Sequence, residues 1–76
     1  MTEKEYLEFK SIIAMGEELN FYYNNDEYWI SHNHGKSYLS RTRDQYSQEF
    51  SGYEELFENA TIEGIKFSEI YLKLIW

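Results

Sequence analysis

The first apolar residues of the chain recur at helical spacing, three or four positions apart: Tyr6, Phe9 and Ile13. Thr2 followed by Glu5 is the capping-box pattern, in which each side chain accepts a hydrogen bond from the backbone of the other residue. Gly16 comes shortly after the last of these apolar residues, as glycine commonly does after a helix. The pattern therefore predicts an N-terminal helix that starts at Thr2 and ends at Gly16.

From Glu17 onward apolar and polar residues alternate, which is typical of a strand with one buried face. Residues 19–23 and 27–31 form two such runs, and Asn24-Asn25-Asp26 between them has the composition of a turn. A second turn at 32–36 leads to a third strand, roughly residues 37–43. We predict a three-stranded antiparallel β-meander. The segment Asp44–Phe50 fits either an irregular strand that continues the sheet or a loop that covers it.

Helical spacing returns in the last third of the chain. Ser51 with Glu54 is a second capping-box pattern, and Gly64 is predicted to break the chain after this second helix. The fold class predicted for residues 1–76 is therefore α+β, a single domain in the order α-β-β-β-α-α with two C-terminal helices. We expect the helices to pack mainly on one face of the sheet.

The last helix is predicted to begin at Ser68 as N-cap. Phe67 before that cap and Leu72 after it are spaced for a hydrophobic staple. The run from Ile70 to Trp76 is strongly apolar, and such an end is expected to dock either on the sheet or on a partner.

The opposite face of the predicted sheet carries polar and aromatic residues: Asn20, Tyr22, Trp29 and Ser31. Tyr22 and Trp29 lie side by side in this arrangement and are candidate partner-binding residues, because both types are common interface anchors. The alternative is that the segment Asp44–Phe50 folds over them.

Charge limits the kind of partner. The chain has 14 acidic and 7 basic residues and a net charge of −7, whereas direct nucleic-acid binding needs clustered Lys and Arg. A protein partner with a basic surface fits this balance better. The second and third predicted helices carry a candidate acidic ridge that could imitate nucleic-acid phosphates or be an ordinary solvated surface: Glu54, Glu55, Glu58, Glu63 and Glu69.

No pattern in the sequence predicts a catalytic, cofactor-binding or metal site. There is no cysteine, no glycine-rich phosphate loop and no serine with a positioned histidine and a third orienting residue. His32 and His34 could share a metal only with further ligands, and solvated turn histidines are the simpler interpretation. No stretch approaches the ~20 apolar residues of a membrane span. We predict a cytoplasmic protein without enzymatic activity.

Several short segments are similar to a diffuse group of small uncharacterised proteins of low-GC Gram-positive bacteria and their phages: Glu18–Tyr23, Tyr28–Ser31, Tyr53–Asn59, Ile62–Gly64 and Glu69-Ile70. In that group an aromatic hairpin precedes a "YEELLEN…I.G…L.EI" tail. The group has no agreed activity, so the resemblance assigns no functional residue. Its association with mobile elements implies by analogy an anti-CRISPR or other anti-defence inhibitor.

Two functional hypotheses follow. The first is a phage or prophage inhibitor that occludes a basic nucleic-acid-binding surface of a host enzyme, such as a CRISPR effector, by stoichiometric binding. The alternative is a housekeeping interaction module or homo-oligomer that uses the apolar run Ile70–Trp76. The sequence leaves the oligomeric state and the identity of the partner open.

Overall fold

Four sequential strands form one antiparallel sheet in the computed structural model, which describes residues 1–76. Helix α1 (Glu3–Ala14) precedes the strands, which are β1 (Leu19–Tyr23), β2 (Asp26–Asn33), β3 (Lys36–Arg41) and β4 (Tyr46–Phe50). Then follow α2 (Tyr53–Asn59), a small hairpin of β5 (Thr61–Ile62) and β6 (Ile65–Lys66), α3 (Phe67–Ile70) and a 3-10 turn at Tyr71–Lys73. The α+β class is confirmed. No helix is long and apolar enough to cross a bilayer.

The three-stranded meander was wrong by one strand. Residues 46–50 pair with β3 along their whole length, from Arg41 opposite Tyr46 to Ser37 opposite Phe50. The alternation that marks a strand is weak here, because an edge strand buries little: only Gln48 and Phe50 are even half-buried. The segment left open between strand and loop is therefore strand β4.

The N-terminal helix forms as predicted. Thr2 accepts a hydrogen bond from the Glu5 backbone at 3.1 Å, and Glu5 accepts one from the Thr2 backbone at 2.8 Å. Gly16 follows the helix with φ of 93°.

The predicted start of the second helix is offset by one residue. Gly52, not Ser51, is the N-cap of α2, and no side chain caps it. Its φ of 129° is a value that glycine adopts readily, and this lets the chain turn from β4 into the helix. The Ser51 N–H instead donates to the carboxylate of Glu55.

The predicted last helix was wrong at both ends. Residues 61–66 form the β5–β6 hairpin around a turn at Glu63-Gly64, so the chain enters α3 directly from a strand, with Lys66 as N-cap. Leu72 is 67% exposed and makes no staple. Instead of continuing as a helix, the chain becomes extended, and Ile75 forms an antiparallel bridge with Tyr22 of β1.

The two edges of the sheet differ because of this bridge. Tyr22 donates its N–H to the Ile75 carbonyl at 2.8 Å and accepts the Ile75 N–H at 2.9 Å, so the middle of the β1 edge is paired. β4 pairs only with β3 and leaves its other edge free. The Gln48 side chain holds β4 to β5, donating to the Thr61 carbonyl at 2.8 Å and accepting the Thr61 N–H at 3.1 Å.

The core lies between the sheet and the helical layer and is rich in aromatic rings. Phe67 is fully buried, with ring centroids 5.3 Å from Phe57, 5.4 Å from Phe21 and 6.0 Å from Tyr6. It therefore joins α1, α2, α3 and the sheet. Such contacts add about 0.5–1.5 kcal/mol per pair beyond the burial of their area.

We expect Phe67→Ala to lower the free energy of unfolding by about 3–5 kcal/mol, because it removes a ring shared by four elements. Urea unfolding followed by circular dichroism measures this change. Leu72→Ala is the control: its side chain is 67% exposed, so a change within about 0.5 kcal/mol is expected. A loss below about 1 kcal/mol for Phe67→Ala would contradict the central role of this ring.

Candidate functional site

All three helices cover the same side of the sheet, and the other side is left open. Side chains alternate between the two sides of each strand, so the residues on the open side can be read from the strand register. We call this side the outer face: Asn20, Tyr22, Glu27, Trp29, Ser31, Tyr38, Ser40, Ser47, Glu49 and Ile75. Nothing in the chain folds over it, so Tyr22 remains 43% exposed and Trp29 41% exposed.

The surroundings of Trp29 explain its exposure. In the sheet it lies between Asn20 on β1 and Ser40 on β3, and Ser47 of β4 comes next in the same row. The Ser40 and Ser47 hydroxyls are 3.0 Å apart and hydrogen-bonded. Serine side chains are too short to cover an indole, so the ring of Trp29 stands above its neighbours.

Ile75 enlarges the outer face on the other side of Tyr22. Residues directly opposite in an antiparallel bridge share one side of the sheet, so Ile75 lies beside Tyr22 and is 69% exposed. Its neighbours Leu74 and Trp76 point the other way: Leu74 is buried, and the Trp76 ring meets Phe9 edge-on at 5.2 Å. Of the two placements expected for the C-terminal run, on the sheet or on a partner, the structure shows docking on the sheet, with Ile75 left on the surface.

Glu27 lies at the centre of the polar contacts on this face. Its Oε2 accepts hydrogen bonds from Asn20 Nδ2 at 2.8 Å and from the Tyr22 hydroxyl at 3.3 Å. The Asn20 hydrogen bond lowers the pKa of the Glu27 carboxyl, partial burial opposes this, and Trp29, Thr42 and Tyr22 lower it further. The carboxylate is thus ionised at neutral pH and set among two exposed aromatic rings.

The sequence pattern predicts Asn20, Tyr22, Trp29 and Ser31 on this face but does not single out Glu27. The predicted turn has three residues, whereas the structure has the two-residue turn Asn24-Asn25, both with positive φ, at 49° and 66°. A two-residue turn places Glu27 directly opposite Tyr22. The Asn-Asn pair was the signal that could have fixed this register.

The candidate acidic residues lie elsewhere in the fold. Glu54, Glu55 and Glu58 are exposed on α2, and Glu69 is exposed on α3, all in the helical layer on the opposite side from the outer face. Glu63 lies at the β5–β6 turn. The structure therefore does not bring the aromatic and acidic groups predicted from the sequence into one site.

Several of these acidic residues already have partners within the chain. Glu63 forms an ion pair with Arg41 at 3.5 Å, and Glu55 accepts the Ser51 N–H. The ammonium of Lys10 lies 5.7 Å from the centre of the Phe57 ring and borders the same shallow hollow as Glu54 and Glu58. The acidic ridge is thus interrupted by basic groups.

The two histidines do not point to a shared site. His32 Nδ1 lies 2.9 Å from the hydroxyl of buried Ser37, and its Nε2 lies 3.1 Å from the Glu17 carbonyl oxygen. His34 is in the β2–β3 turn and exposed, with φ of 51°. No cluster of three or more His, Cys, Asp or Glu side chains is suited to hold a metal ion. The contact with Ser37 joins β2 to β3, and the contact with Glu17 ties the end of β2 to the segment before β1.

The most enclosed hollow of the molecule is small. It has a volume of about 160 Å³ and lies under β4, lined by Tyr28, Arg41, Gln48 and the β5–β6 turn among others. Small-molecule sites typically have volumes of about 300–1,000 Å³. Larger hollows of about 400–460 Å³ lie elsewhere on the surface, but they are more open to solvent.

Comparison with protein-family models, with curated proteins and with solved structures gives no match to this chain.

The ion pair of Arg41 with Asp44, which is 2.7 Å long, predicts an acid-dependent loss of stability. Hydrogen bonding to Arg41 lowers the pKa of Asp44 from 3.8 to about 2. A carboxyl with a lowered pKa stabilises the fold above its unfolded-state pKa, and this contribution is lost as the pH falls through the folded-state pKa. The difference in unfolding free energy between wild type and Asp44→Asn should shrink as the pH falls from about 4 to about 2.

Urea unfolding at a series of pH values measures this difference. Ser47→Ala, which changes no titratable group, is the control and should differ from wild type by an amount that does not follow the pH. A constant difference for Asp44→Asn over the same range would show that the ion pair does not stabilise the fold.

Proposed function

We propose that this protein is a non-enzymatic binding protein whose outer face contacts a basic surface on a protein partner. The observation that carries the proposal is an uncovered sheet face on which Tyr22 and Trp29 stand exposed around an ionised carboxylate. Tyr and Trp are enriched among the residues that dominate binding energy. Burying such rings against a partner removes apolar area from water, which exposed serines alone would not do.

The size of the face suits a protein partner. The molecule measures 30 × 29 × 18 Å between Cα atoms. A broad face of this extent can supply about the 800 Å² per partner found in stable complexes. The net charge of −7 favours encounter with a basic surface and disfavours acidic partners.

The resemblance to small proteins of Gram-positive bacteria and their phages extends this proposal. We propose that the protein acts in the cytoplasm of a bacterial host as an inhibitor, in which stoichiometric binding occludes the nucleic-acid-binding surface of a host enzyme such as a CRISPR effector. An inhibitor of this kind must bind the enzyme tightly and cover its nucleic-acid-binding surface, and neither task requires a catalytic group.

A test compares two sets of variants as bait in a low-GC Gram-positive lysate. Tyr22→Thr with Trp29→Thr removes the rings of the outer face while keeping residues that favour strands. Glu54→Lys, Glu55→Lys and Glu58→Lys together reverse the charge of α2. We expect the first set to lose at least about tenfold in affinity for a stoichiometric basic partner, and the second to lose much less.

Tyr46→Thr is the matched control for the outer face, since Tyr46 is 56% exposed on β4 but on the helical side of the sheet. It should retain the partner. Retention of the partner by the double threonine variant, with loss by the triple lysine variant, would place binding on the acidic helix instead. Competition between the protein and nucleic acid for the purified partner then tests inhibition.

The alternative of a homo-oligomer rests on the apolar side chains that the C-terminal segment leaves on the surface, Leu72 and Ile75, at 67% and 69% exposure. The C-terminal segment does not form the continuous helix that the sequence predicts, but Leu72 and Ile75 border a common hollow with Met1 and Trp76. Sedimentation equilibrium of wild type and Leu72→Ser with Ile75→Ser distinguishes the two proposals. A self-association that the serine variant abolishes supports the oligomer, and a monomer at all concentrations opposes it.

A further inference from the structure

The Glu27 carboxylate has no cationic partner within its own chain. The ion pairs of the structure join Lys36 to Glu49, Arg41 to Asp44 and Glu63, and Arg43 to Asp26. Glu27 takes part in none of them, although Arg41 is the last residue of the neighbouring strand β3 and Arg43 follows two residues later. The cations nearest to it along the sheet are thus already engaged by other carboxylates.

The hydrogen bonds of Glu27 orient it on the surface. Asn20 and Tyr22 both donate to Oε2, and hydrogen bonding from the Trp29 and Thr42 side chains also lowers the pKa of the carboxyl. The Tyr22 hydroxyl is in turn 3.5 Å from Asn20 Nδ2, so the three side chains hold one another in place. A carboxylate fixed in this way has less side-chain entropy to lose when it binds a donor.

The exposed rings complete the arrangement. Tyr22 lies directly across from Glu27, and Trp29 follows Glu27 by two residues on the same side of β2. Trp is the strongest of the aromatic side chains in attracting a cation to its ring face, and Arg is the cation that most often occupies such a position. An arginine head group combines a positive charge with a flat face. The carboxylate on this surface can bind the charge, and the two aromatic rings can pack against the flat face.

We propose that Glu27, Tyr22 and Trp29 form a receptor for an arginine side chain of the partner. This inference rests on the proposed function and specifies the chemistry of its contact. The guanidinium donates N–H groups to the Glu27 carboxylate while its plane lies against an aromatic ring. Arginine fits better than lysine, because its planar, weakly hydrated head can stack and donate at the same time, whereas an ammonium is a strongly hydrated point charge.

The experiment uses two probes, an oligoarginine and an oligolysine peptide of equal length, on the full chain. Trp76→Phe serves as the background, because it leaves Trp29 as the one tryptophan of the two in the chain. Titration is followed by Trp29 fluorescence and by the NMR signal of its indole N–H. We expect the arginine peptide to bind at least about threefold more tightly than the lysine peptide, and to shift the Trp29 signal.

Glu27→Gln should weaken the arginine peptide about fivefold to tenfold and remove its preference over lysine. Glu49→Gln is the matched control, since it removes the same charge from the same face at a residue already paired with Lys36 at 3.7 Å. It should reduce affinity for both peptides equally and by less. Equal effects of the two glutamine variants, equal affinity for the two peptides, or binding without a Trp29 signal change would each overturn the proposal.

The proposed function and this inference fail in different ways. If the outer-face threonine variant loses its protein partner while Glu27→Gln keeps it at full affinity, the face binds the partner without an arginine receptor. If Glu27→Gln loses the arginine peptide but the threonine variant keeps the protein partner, the receptor exists and the partner binds elsewhere.

Discussion

The packing of aromatic rings between the sheet and the helices is the constraint on which the rest of this structure depends. A chain of 76 residues without cysteine has neither a disulfide nor enough length for a second core. Phe67, Phe9 and Phe21 are fully buried at the place where all helices meet the sheet. Because every helix is needed on this side to cover them, none remains for the other side, and the outer face is open as a direct consequence.

Sequence patterns predicted the parts of the fold that are governed by local chemistry. Three features depend only on neighbouring residues and appear as expected: the capping box at Thr2, the helix end at Gly16, and the alternation of buried and exposed residues in β1 and β2. Some local predictions were wrong as well, such as the Ser51 and Ser68 caps, but the largest error concerns an element that depends on distant partners. β4 is defined by its pairing with β3 and by the contact of Gln48 with Thr61, and neither leaves an alternation in the sequence.

The structure of the C-terminal segment also depends on a partner that is distant in the sequence. Its apolar composition predicts a helix that docks on the sheet or on a partner. The segment does dock on the sheet through Ile75, whereas most of the helix is replaced by extended chain. The backbone groups of Tyr22 at the β1 edge require partners, and Ile75 supplies them, which a helix could not do. For the candidate site, residue types identified Tyr22 and Trp29, but the central role of Glu27 depends on the register across a turn, which only the positive φ of Asn24 and Asn25 fixes.

The unequal edges of the sheet set a limit on how copies of this protein can join. An unpaired edge strand is a template for another strand, and β4 offers one while Ile75 occupies the middle of β1. Fibres grow by adding strands at both ends of a sheet, and each added unit must present a new template. Here a second copy joined through β4 would turn its β1 edge outward. Because Tyr22 on that edge is already paired with Ile75, the edge is a poorer template for a third copy.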